Sequence, residues 1–387
     1  MEFLKPKYLW LIILLVSLYA CAPPAPIRLD DNPYQCVWNQ GGGSHFRASS
    51  IRDGDDGIPE LRWIKKQRTP LLLEPTLACG ILALPTTDNK LNFISLKTGV
   101  RVGFIKFRDF LASPCAIYDS LIVVNEGGEK LSVLNWVTGE RQWSANIKYD
   151  DTEPLTINNR LIWQDGSRML RCFVLGEGRR IWDKKLEFRL AAAPAADSQA
   201  LIIIDRAGNI ENVSLSSGSS IWVKNSDYRF RNAPIIVGNT IIVASSDGRI
   251  SSIDLSDGTI NWEVNIGYPL MAPLAADPGG IFYGTSQGKF GKINFLSGVK
   301  EWEFEINGPI KAGATILGNT VVFVSLNHRA YFVDKNDGSI RLEYEAQGML
   351  TARPVACFNR VYIAGEDKNL YCFQVSQYGQ RDKAIKP

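Results

Sequence analysis

The strongest constraint on the fold of this chain is an internal repeat of about 40 residues. Glycines recur at intervals of 39 or 40 residues, and most of them are followed four residues later by a tryptophan. A third landmark, usually a proline, keeps a similar interval. Three landmarks with one period indicate eight copies of a single supersecondary unit. The marker glycines are Gly99, Gly139, Gly178, Gly218, Gly258, Gly298 and Gly338; the tryptophans are Trp63, Trp143, Trp182, Trp222, Trp262 and Trp302; the prolines are Pro75, Pro114, Pro154, Pro194, Pro234, Pro273 and Pro354.

Each unit predicts four short β-strands. The second strand is apolar on both faces, as in TIIVAS at residues 240–245, which is typical of a buried strand. A turn such as Asp247-Gly248 follows and suits a tight hairpin. The third strand alternates apolar and polar residues, the marker glycine forms the next turn, and the fourth strand carries the tryptophan. Four strands in each unit of this length are typical of a β-propeller.

The sequence therefore predicts an all-β protein, a single eight-bladed β-propeller of four-stranded blades over residues 61–376. The last unit has only three strands and a polar continuation, whereas residues 61–66 (LRWIKK) form an outer-type strand without partners before it. We expect residues 61–66 to complete the last blade and to cover its edge. The other segments are predicted as a signal peptide at 1–20, a Pro-rich tether at 21–37, a lead-in at 38–60 and a C-terminal tail at 377–387.

The repeated tryptophans are predicted to join neighbouring blades. A buried indole covers about 150–250 Å² and needs a partner for its N–H. One tryptophan per blade can wedge against the next blade and donate a hydrogen bond to its backbone. We therefore expect structural roles for the six repeated tryptophans, and no contacts between them and a ligand.

The repeat phrases resemble a known superfamily. SIDLSDGTINW at residues 252–262, KINFLSGVKEW at 292–302 and VLNWVTGERQW at 133–143 are similar to the tryptophan-docking repeat of the pyrroloquinoline quinone (PQQ) propellers. WNQGGGSHFRAS at residues 38–49, followed by LRW, resembles the lead-in of that superfamily. Within it, the chain most resembles the BamB family, the lipoprotein subunits of the outer-membrane β-barrel assembly machinery. WD40 repeats fit less well, because their Gly-His and Trp-Asp pairs are absent at the required positions.

The N-terminus is predicted to be a lipoprotein signal. Lys5 and Lys7 precede an apolar run that is too short to span a membrane comfortably. Residues 18–21 (LYAC) resemble the lipobox of bacterial lipoproteins, which implies cleavage before Cys21 and lipidation of Cys21. Ala22 after the cysteine implies anchoring in the outer membrane, facing the periplasm. A plain signal peptide followed by a chance cysteine is the alternative.

Few residues suit catalytic chemistry. Only His45 and His328 are present, so one chain cannot form a three-histidine metal site. The net charge is +3 without a long basic run, which argues against nucleic acid as a partner. The acidic segment at 52–60 departs from the calcium-loop pattern at Gly57, and the glycines at 41–43 lack the strand and helix of a phosphate loop. We predict no catalytic residue, no cofactor and no metal site.

PQQ dehydrogenases of the same superfamily are the enzyme alternative. The resemblance implies that such enzymes bind the quinone in the central funnel, commonly with calcium and often with a disulfide between adjacent cysteines. This chain has no adjacent cysteines and lacks the long insertions that cap the funnel. A PQQ-dependent enzyme or a ligand-sensing propeller therefore stays the second interpretation.

The cysteines leave several pairings open. Cys79, Cys115 and Cys357 each follow a landmark position and fall on predicted inner strands, where we expect buried thiols. Six cysteines beyond Cys21 allow 15 connectivities, so the sequence does not decide which of them, if any, form disulfides.

Loops between blades are predicted to form a protein-docking surface. They gather on one face of a propeller, and here they are rich in arginine and aromatic residues, the types enriched in binding hot spots. Some of these aromatics could instead plug the central channel. The resemblance implies that the partner is the periplasmic repeats of BamA, and that the chain is a non-enzymatic scaffold, a monomer within a complex. The predicted docking residues are Phe110, Phe188, Arg189, Tyr228, Arg229, Phe230, Arg231 and Tyr268.

Overall fold

The computed structural model describes residues 40–51, 57–150 and 152–376 of the chain. These residues form 33 strands in eight sheets, and they contain no helix. The sheets follow one another along the chain as the blades of a propeller. The predicted fold class, an all-β eight-bladed β-propeller with four-stranded blades, is confirmed.

Each blade is numbered in chain order, from its inner strand at the central channel to its outer strand. The N-terminal strands are β1 (Ser50–Ile51) and β2 (Ile58–Lys66). Blade 1 comprises β3 (Thr76–Ala78), β4 (Ile81–Thr86), β5 (Lys90–Ser95) and β6 (Arg101–Lys106); blade 2 comprises β7 (Ala116–Tyr118), β8 (Leu121–Glu126), β9 (Lys130–Asn135) and β10 (Arg141–Asn146). Blade 3 comprises β11 (Leu155–Ile157), β12 (Arg160–Asp165), β13 (Met169–Val174) and β14 (Arg180–Lys185); blade 4 comprises β15 (Ala195–Ala196), β16 (Ala200–Ile204), β17 (Ile210–Ser214) and β18 (Ser220–Lys224).

The second half of the ring repeats this order. Blade 5 comprises β19 (Ile235–Val237), β20 (Thr240–Ala244), β21 (Arg249–Asp254) and β22 (Ile260–Asn265); blade 6 comprises β23 (Ala275–Asp277), β24 (Gly280–Gly284), β25 (Lys289–Ile293) and β26 (Lys300–Glu305). Blade 7 comprises β27 (Thr315–Leu317), β28 (Thr320–Val324), β29 (Arg329–Asp334) and β30 (Ile340–Glu345); blade 8 comprises β31 (Val355–Cys357), β32 (Arg360–Ala364) and β33 (Asn369–Ser376), with β2 as its outer strand.

The ring closes through its N-terminal strand. β2 pairs antiparallel with β33 and places Trp63 opposite Cys372. The predicted closure by residues 61–66 is therefore confirmed, and the strand begins three residues earlier than expected, at Ile58. Because β2 hydrogen-bonds to β33, the edge of the last blade is covered by the same chain.

Every outer strand carries a β-bulge beside its tryptophan position. In blade 5, for example, Ser252 pairs with Trp262, while Ile253 pairs with Ile260, so that Asn261 is unpaired. The same register shift recurs in the other seven blades. A bulge increases the local twist of a strand and re-aims its side chains. The repeated bulge accounts for why the indoles point toward the following blade.

The tryptophans and the marker glycines meet across the blade junctions. Trp182 Nε1 donates to the carbonyl of Leu215 in the next blade at 3.0 Å, and a Cβ on Gly218 would lie 2.7 Å from the Trp182 ring. Equivalent indole hydrogen bonds, of 2.6–3.1 Å, run from Trp143 to Leu175, from Trp222 to Leu255 and from Trp262 to Phe295. The marker glycines have φ angles of 67–78°, a region that non-glycine residues rarely adopt. Glycine is thus required twice, by the turn and by the indole that covers it.

Two of the six tryptophans depart from this pattern. The Nε1 atoms of Trp63 and Trp302 are buried without a hydrogen-bond partner. At the ring closure, the carbonyl of Leu96, which would match the acceptor in other blades, receives Arg360 Nη1 at 2.9 Å and the Tyr362 hydroxyl at 3.3 Å instead. The closing junction therefore keeps the packing of the indole but uses different hydrogen-bond donors.

The predicted signal peptide, Cys21, the tether at 21–37 and the tail at 377–387 lie outside the described residues. Within the residues that are described, no helix is long and apolar enough to cross a membrane.

Candidate docking face and central funnel

The propeller has two faces that differ in the connections they carry. We define the loop face by the connections from each outer strand to the next inner strand, such as residues 107–115 and 186–194, together with the hairpins between the two middle strands. The turn face carries the marker glycines. All eight predicted docking residues belong to the connections of the loop face.

Most of these residues are accessible on the loop face. Phe110 is 52% exposed and Phe188 is 41% exposed. Arg229 and Arg231 are exposed as well, and no ion pair among the described residues engages either side chain. Tyr268 is half-buried, with Lys289 Nζ 5.9 Å from the centre of its ring. The face thus offers large apolar side chains next to unpaired guanidinium groups.

Two predicted docking residues are instead part of the core. Tyr228 and Phe230 are 7% and 6% exposed, and their rings pack edge to face with centroids 5.6 Å apart. The Tyr228 hydroxyl lies 3.0 Å from Ser251 Oγ, and the Arg249 guanidinium lies 4.5 Å above the ring. Their assignment to a docking surface is therefore corrected, because neither side chain is accessible to a partner.

The repeat itself contains the signal that Phe230 is buried. In six other blades, a buried aliphatic residue lies three or four residues before the landmark proline or glycine of the repeat. Phe230 stands at the same distance before the landmark proline of its own blade, so sequence spacing alone aligns Phe230 with these residues. Phe230 does not line the central funnel either, since it packs in a hydrophobic core cluster together with Tyr228 and Ile241, so the alternative of a channel plug does not hold for this residue. The aligned residues, all buried, are Leu71, Leu111, Leu190, Leu270, Ile310 and Leu350.

Arg189 is only partly available. Its Nη2 donates to the Tyr149 carbonyl at 3.0 Å and lies 3.5 Å from Asp150 Oδ2, a buried carboxylate. Arg189 therefore braces the neighbouring loop as well as facing solvent. In the next inter-blade connection, a hydrogen bond from Arg249 lowers the pKa of the exposed Asp227 carboxyl.

The centre of the loop face opens into a funnel of about 430 Å³. Its wall is formed by the last residues of the inter-blade connections, just before the inner strands, including Leu72, Thr152, Arg231, Lys311 and Thr351. Gly42 and Arg47 from the lead-in belong to its floor. The funnel is therefore closed below by the segment that precedes the propeller.

The lead-in forms a belt across the inner strands of blades 3–7. The carbonyls of His45, Phe46, Ala48 and Ser49 accept hydrogen bonds of 2.8–3.0 Å from four inner-strand amides that are 40 residues apart. Gln40 Oε1 accepts the equivalent amide of blade 3, that of Thr156, at 2.9 Å, and β1 pairs in parallel with β27. The four amides belong to Ala196, Ile236, Ala276 and Ile316.

One ion pair and several hydrogen bonds fix this belt to the ring. Arg47 donates to Glu153 Oε2 at 2.5 Å and to the Pro194 carbonyl at 2.7 Å. Glu74 Oε1 accepts the Gly42 amide at 2.9 Å, and Arg353 Nη1 donates to Ser49 Oγ at 2.5 Å. The Glu153 carboxylate lies against Gly41, in space that a Cβ would fill. Gly41 and Gly42 therefore allow charged side chains to approach the backbone of the belt.

The funnel does not fit a calcium–quinone cofactor. Calcium takes six to eight oxygen ligands, whereas the two carboxylates in the described lining, Glu74 and Glu153, are held by the Gly42 amide and by Arg47. No aromatic side chain is among the described lining residues that could stack on a planar ring. No cluster of three or more potential metal-binding side chains occurs in the described parts of the chain.

The cysteines differ from one another in state. Cys115 is a buried free thiol as expected, and burial raises its pKa to about 12. Cys79 is a free thiol in the turn after β3 and is exposed, so its predicted burial is wrong. Cys357 is buried as expected, but it is disulfide-bonded and is not a free thiol. The inner-strand spacing identified the position of Cys357 but not its bonding.

Comparison with known proteins identifies a related family. Residues 166–310 match the sequence profile of a family described as outer membrane protein assembly factor BamB. The predicted resemblance is confirmed. The matched segment runs from the middle hairpin of blade 3 to the end of blade 6, and it contains most of the predicted docking residues. No curated protein sequence matches the chain.

Solved structures agree on the fold. BamB from Moraxella catarrhalis has a TM-score of 0.71 at 16% identity, covering 84% of this chain and 99% of its own. Quinohemoprotein alcohol dehydrogenase from Comamonas testosteroni has a TM-score of 0.72 at 12% identity, covering 91% and 82%. A computationally designed protein, Ika8, has a TM-score of 0.69 at 12% identity, covering 85% and 99%. At such identities, the likeness shows the fold alone.

Proposed function

We propose that this protein is a non-enzymatic, lipid-anchored scaffold of the outer membrane that binds a component of the β-barrel assembly machinery through its loop face. The observation that carries the proposal is the match to the BamB assembly-factor profile over residues 166–310. That segment holds Phe188, Arg189, Arg229, Arg231 and Tyr268, and thus most of the accessible docking residues. The predicted partner is the periplasmic repeat region of a BamA-type protein.

The chemistry of the loop face supports a protein partner. Aromatic and arginine side chains dominate binding hot spots because they combine apolar area with directional hydrogen bonding. Phe188 is exposed beside the half-exposed Arg189, and Arg229 projects from the next inter-blade connection without an ion pair among the described residues. Rigid blades hold these loops at fixed positions, so that little conformational entropy is lost on binding.

Co-purification from detergent-solubilised envelopes tests the proposal. The wild-type protein is expected to retain the BamA-type protein, and the double substitution Phe188→Ser/Arg229→Glu is expected to reduce its recovery at least fivefold. Arg189 is left unchanged, because its replacement would also release the buried Asp150. Arg179→Glu, an exposed charge reversal on the turn face, is the matched control and should retain the partner. Equal recovery with the double variant and the wild type would contradict the docking face.

A PQQ-dependent activity is the alternative that the shared fold raises. Reconstitution with PQQ and calcium, followed by dye reduction with alcohol substrates, separates the two. We expect no calcium-dependent dye reduction, since the carboxylates of the funnel are already engaged. Turnover that depends on both additions would overturn the non-enzymatic assignment while leaving the propeller fold intact.

A further inference from the structure

The funnel of the loop face carries more positive than negative side chains. Its described lining contains two carboxylates, Glu74 and Glu153, and both serve the floor: Glu153 pairs with Arg47, while Glu74 accepts the Gly42 amide and lies 3.7 Å from Arg353 Nε. The cations of the same described lining are Arg47, Arg206, Arg231, Lys311 and Arg353. Among these residues, the positive charges outnumber the negative ones by three.

Three of the cations have no counter-charge in the described structure. Arg206, Arg231 and Lys311 are exposed, and none takes part in an ion pair among the described residues. They come from different elements of the ring: the middle hairpin of blade 4, the connection between blades 4 and 5, and the connection between blades 6 and 7. Their charges converge on one concavity from separate sides.

The floor leaves this excess unchanged. Arg47 and Arg353 are buried, and each lies against a carboxylate, Glu153 or Glu74. One nitrogen of each guanidinium, Arg47 Nη2 and Arg353 Nε, has no hydrogen-bond partner in the described structure. The net positive charge of the described funnel therefore comes from its three exposed cations. A concave wall of low dielectric concentrates such a field and raises the local concentration of anions.

We propose that the funnel binds a small multivalent oxyanion, an organic polycarboxylate or a phosphate. Guanidinium groups bind both carboxylates and phosphates through two parallel N–H donors, and Lys311 adds a point charge. A volume of about 430 Å³ lies in the range of small-ligand pockets. The site is independent of the proposed docking function, and it differs from a calcium–quinone site because cations rather than carboxylates hold the ligand.

Isothermal titration calorimetry on the purified full-length protein in detergent tests the site. Citrate and inorganic phosphate are the two multivalent probes, and acetate at matched ionic strength is the monovalent one. We expect saturable 1:1 binding of at least one multivalent probe and none of acetate. The double substitution Arg231→Gln/Lys311→Gln should weaken that binding at least tenfold, because it removes two of the three unpaired charges. Added salt should weaken the binding as well.

Arg229→Gln is the matched control. Arg229 is an exposed arginine on the same face but does not line the funnel, so its replacement should leave the affinity unchanged. Circular dichroism of each variant checks that the propeller is folded, and the single substitutions Arg231→Gln and Lys311→Gln replace the double variant if it is not. Undetectable binding of both citrate and phosphate, or equal affinity in the funnel variants and the wild type, would overturn the proposal.

Discussion

The contact between a marker glycine and the tryptophan of the preceding blade predicts a specific energetic coupling. Gly218 has a φ of 74°, and a Cβ at this position would lie 2.7 Å from two carbons of the Trp182 ring. Gly238 has a φ of 59° and no atom within 4 Å of the place of its Cβ. Gly218→Ala therefore combines backbone strain with a steric clash, whereas Gly238→Ala imposes the strain alone.

The magnitudes follow from these two terms. The left-handed conformation costs an alanine about 1–2 kcal/mol, which is the whole expected loss for Gly238→Ala. Overpacking against a fixed ring adds about 1–3 kcal/mol, so Gly218→Ala should lose about 2–5 kcal/mol. Trp182→Ala alone should cost about 3–5 kcal/mol. Once the indole is absent, Gly218→Ala should cost only the backbone term, which gives a coupling energy of about 1–3 kcal/mol between the two positions.

Urea unfolding of the four proteins of this cycle, followed by far-UV circular dichroism, measures the coupling. Circular dichroism is preferred because removal of an indole alters the fluorescence signal itself. Gly238→Ala is the control for backbone strain in the same assay. If Gly218→Ala costs the same with and without Trp182, or if Gly238→Ala is as destabilising as Gly218→Ala, the explanation of the marker glycines is wrong.

Three further outcomes are expected. Deletion of residues 58–66 should lower the melting temperature by at least about 10 °C, because it removes the outer strand of blade 8 and exposes the edge of β33; an unchanged melt would contradict closure by β2. Burial lowers the pKa of His45 from its usual value near 6.5, and Asp197 opposes this shift. The stability that neutral His45 contributes is therefore present above pH 6.5 and is lost as the pH falls through the folded pKa. His45→Gln should flatten this part of the curve of unfolding free energy against pH, and an unaltered slope would refute the assignment. Burial raises the pKa values of Cys115 and Cys372 to about 12 and of Cys172 to about 11. At pH 8, iodoacetamide should therefore label Cys79 in the native protein, and it should label the three buried cysteines only after unfolding. Mass spectrometry counts the labelled cysteines.

The parts of the fold that repeat were predictable from the sequence. Most marker glycines and tryptophans meet the same local requirement in successive blades, so a single interpretation could be checked several times within one chain. The closure by residues 61–66 followed from the same count, because one outer strand was missing at the C-terminus and one was unpartnered at the N-terminus. The first residues of β2 (Ile58–Lys66) were missed because they precede the repeat pattern.

Features that occur once were not predictable. The belt formed by the lead-in depends on carbonyls of residues such as His45 and Ser49 meeting inner-strand amides, and backbone groups leave no mark in the sequence. The glycines at 41–43 are visible in the sequence, but the approach of Glu153 to Gly41 and of Arg353 to Gly42 is a long-range contact that local spacing does not reveal. Phe230 was predicted to dock a partner because it lies in an inter-blade loop rich in arginine and aromatic residues, although its place in the repeat indicates burial.

The central claim, that this propeller binds its partner through the loop face, is tested most directly by site-specific photo-crosslinking in intact cells. The crosslinking residue replaces Phe188 on the loop face or, as a control, Leu296, which is 83% exposed on the turn face. The account predicts an adduct with the BamA-type protein from position 188 and none from position 296. An adduct that forms from position 296 but not from position 188, or no adduct with that protein from either position, would contradict it.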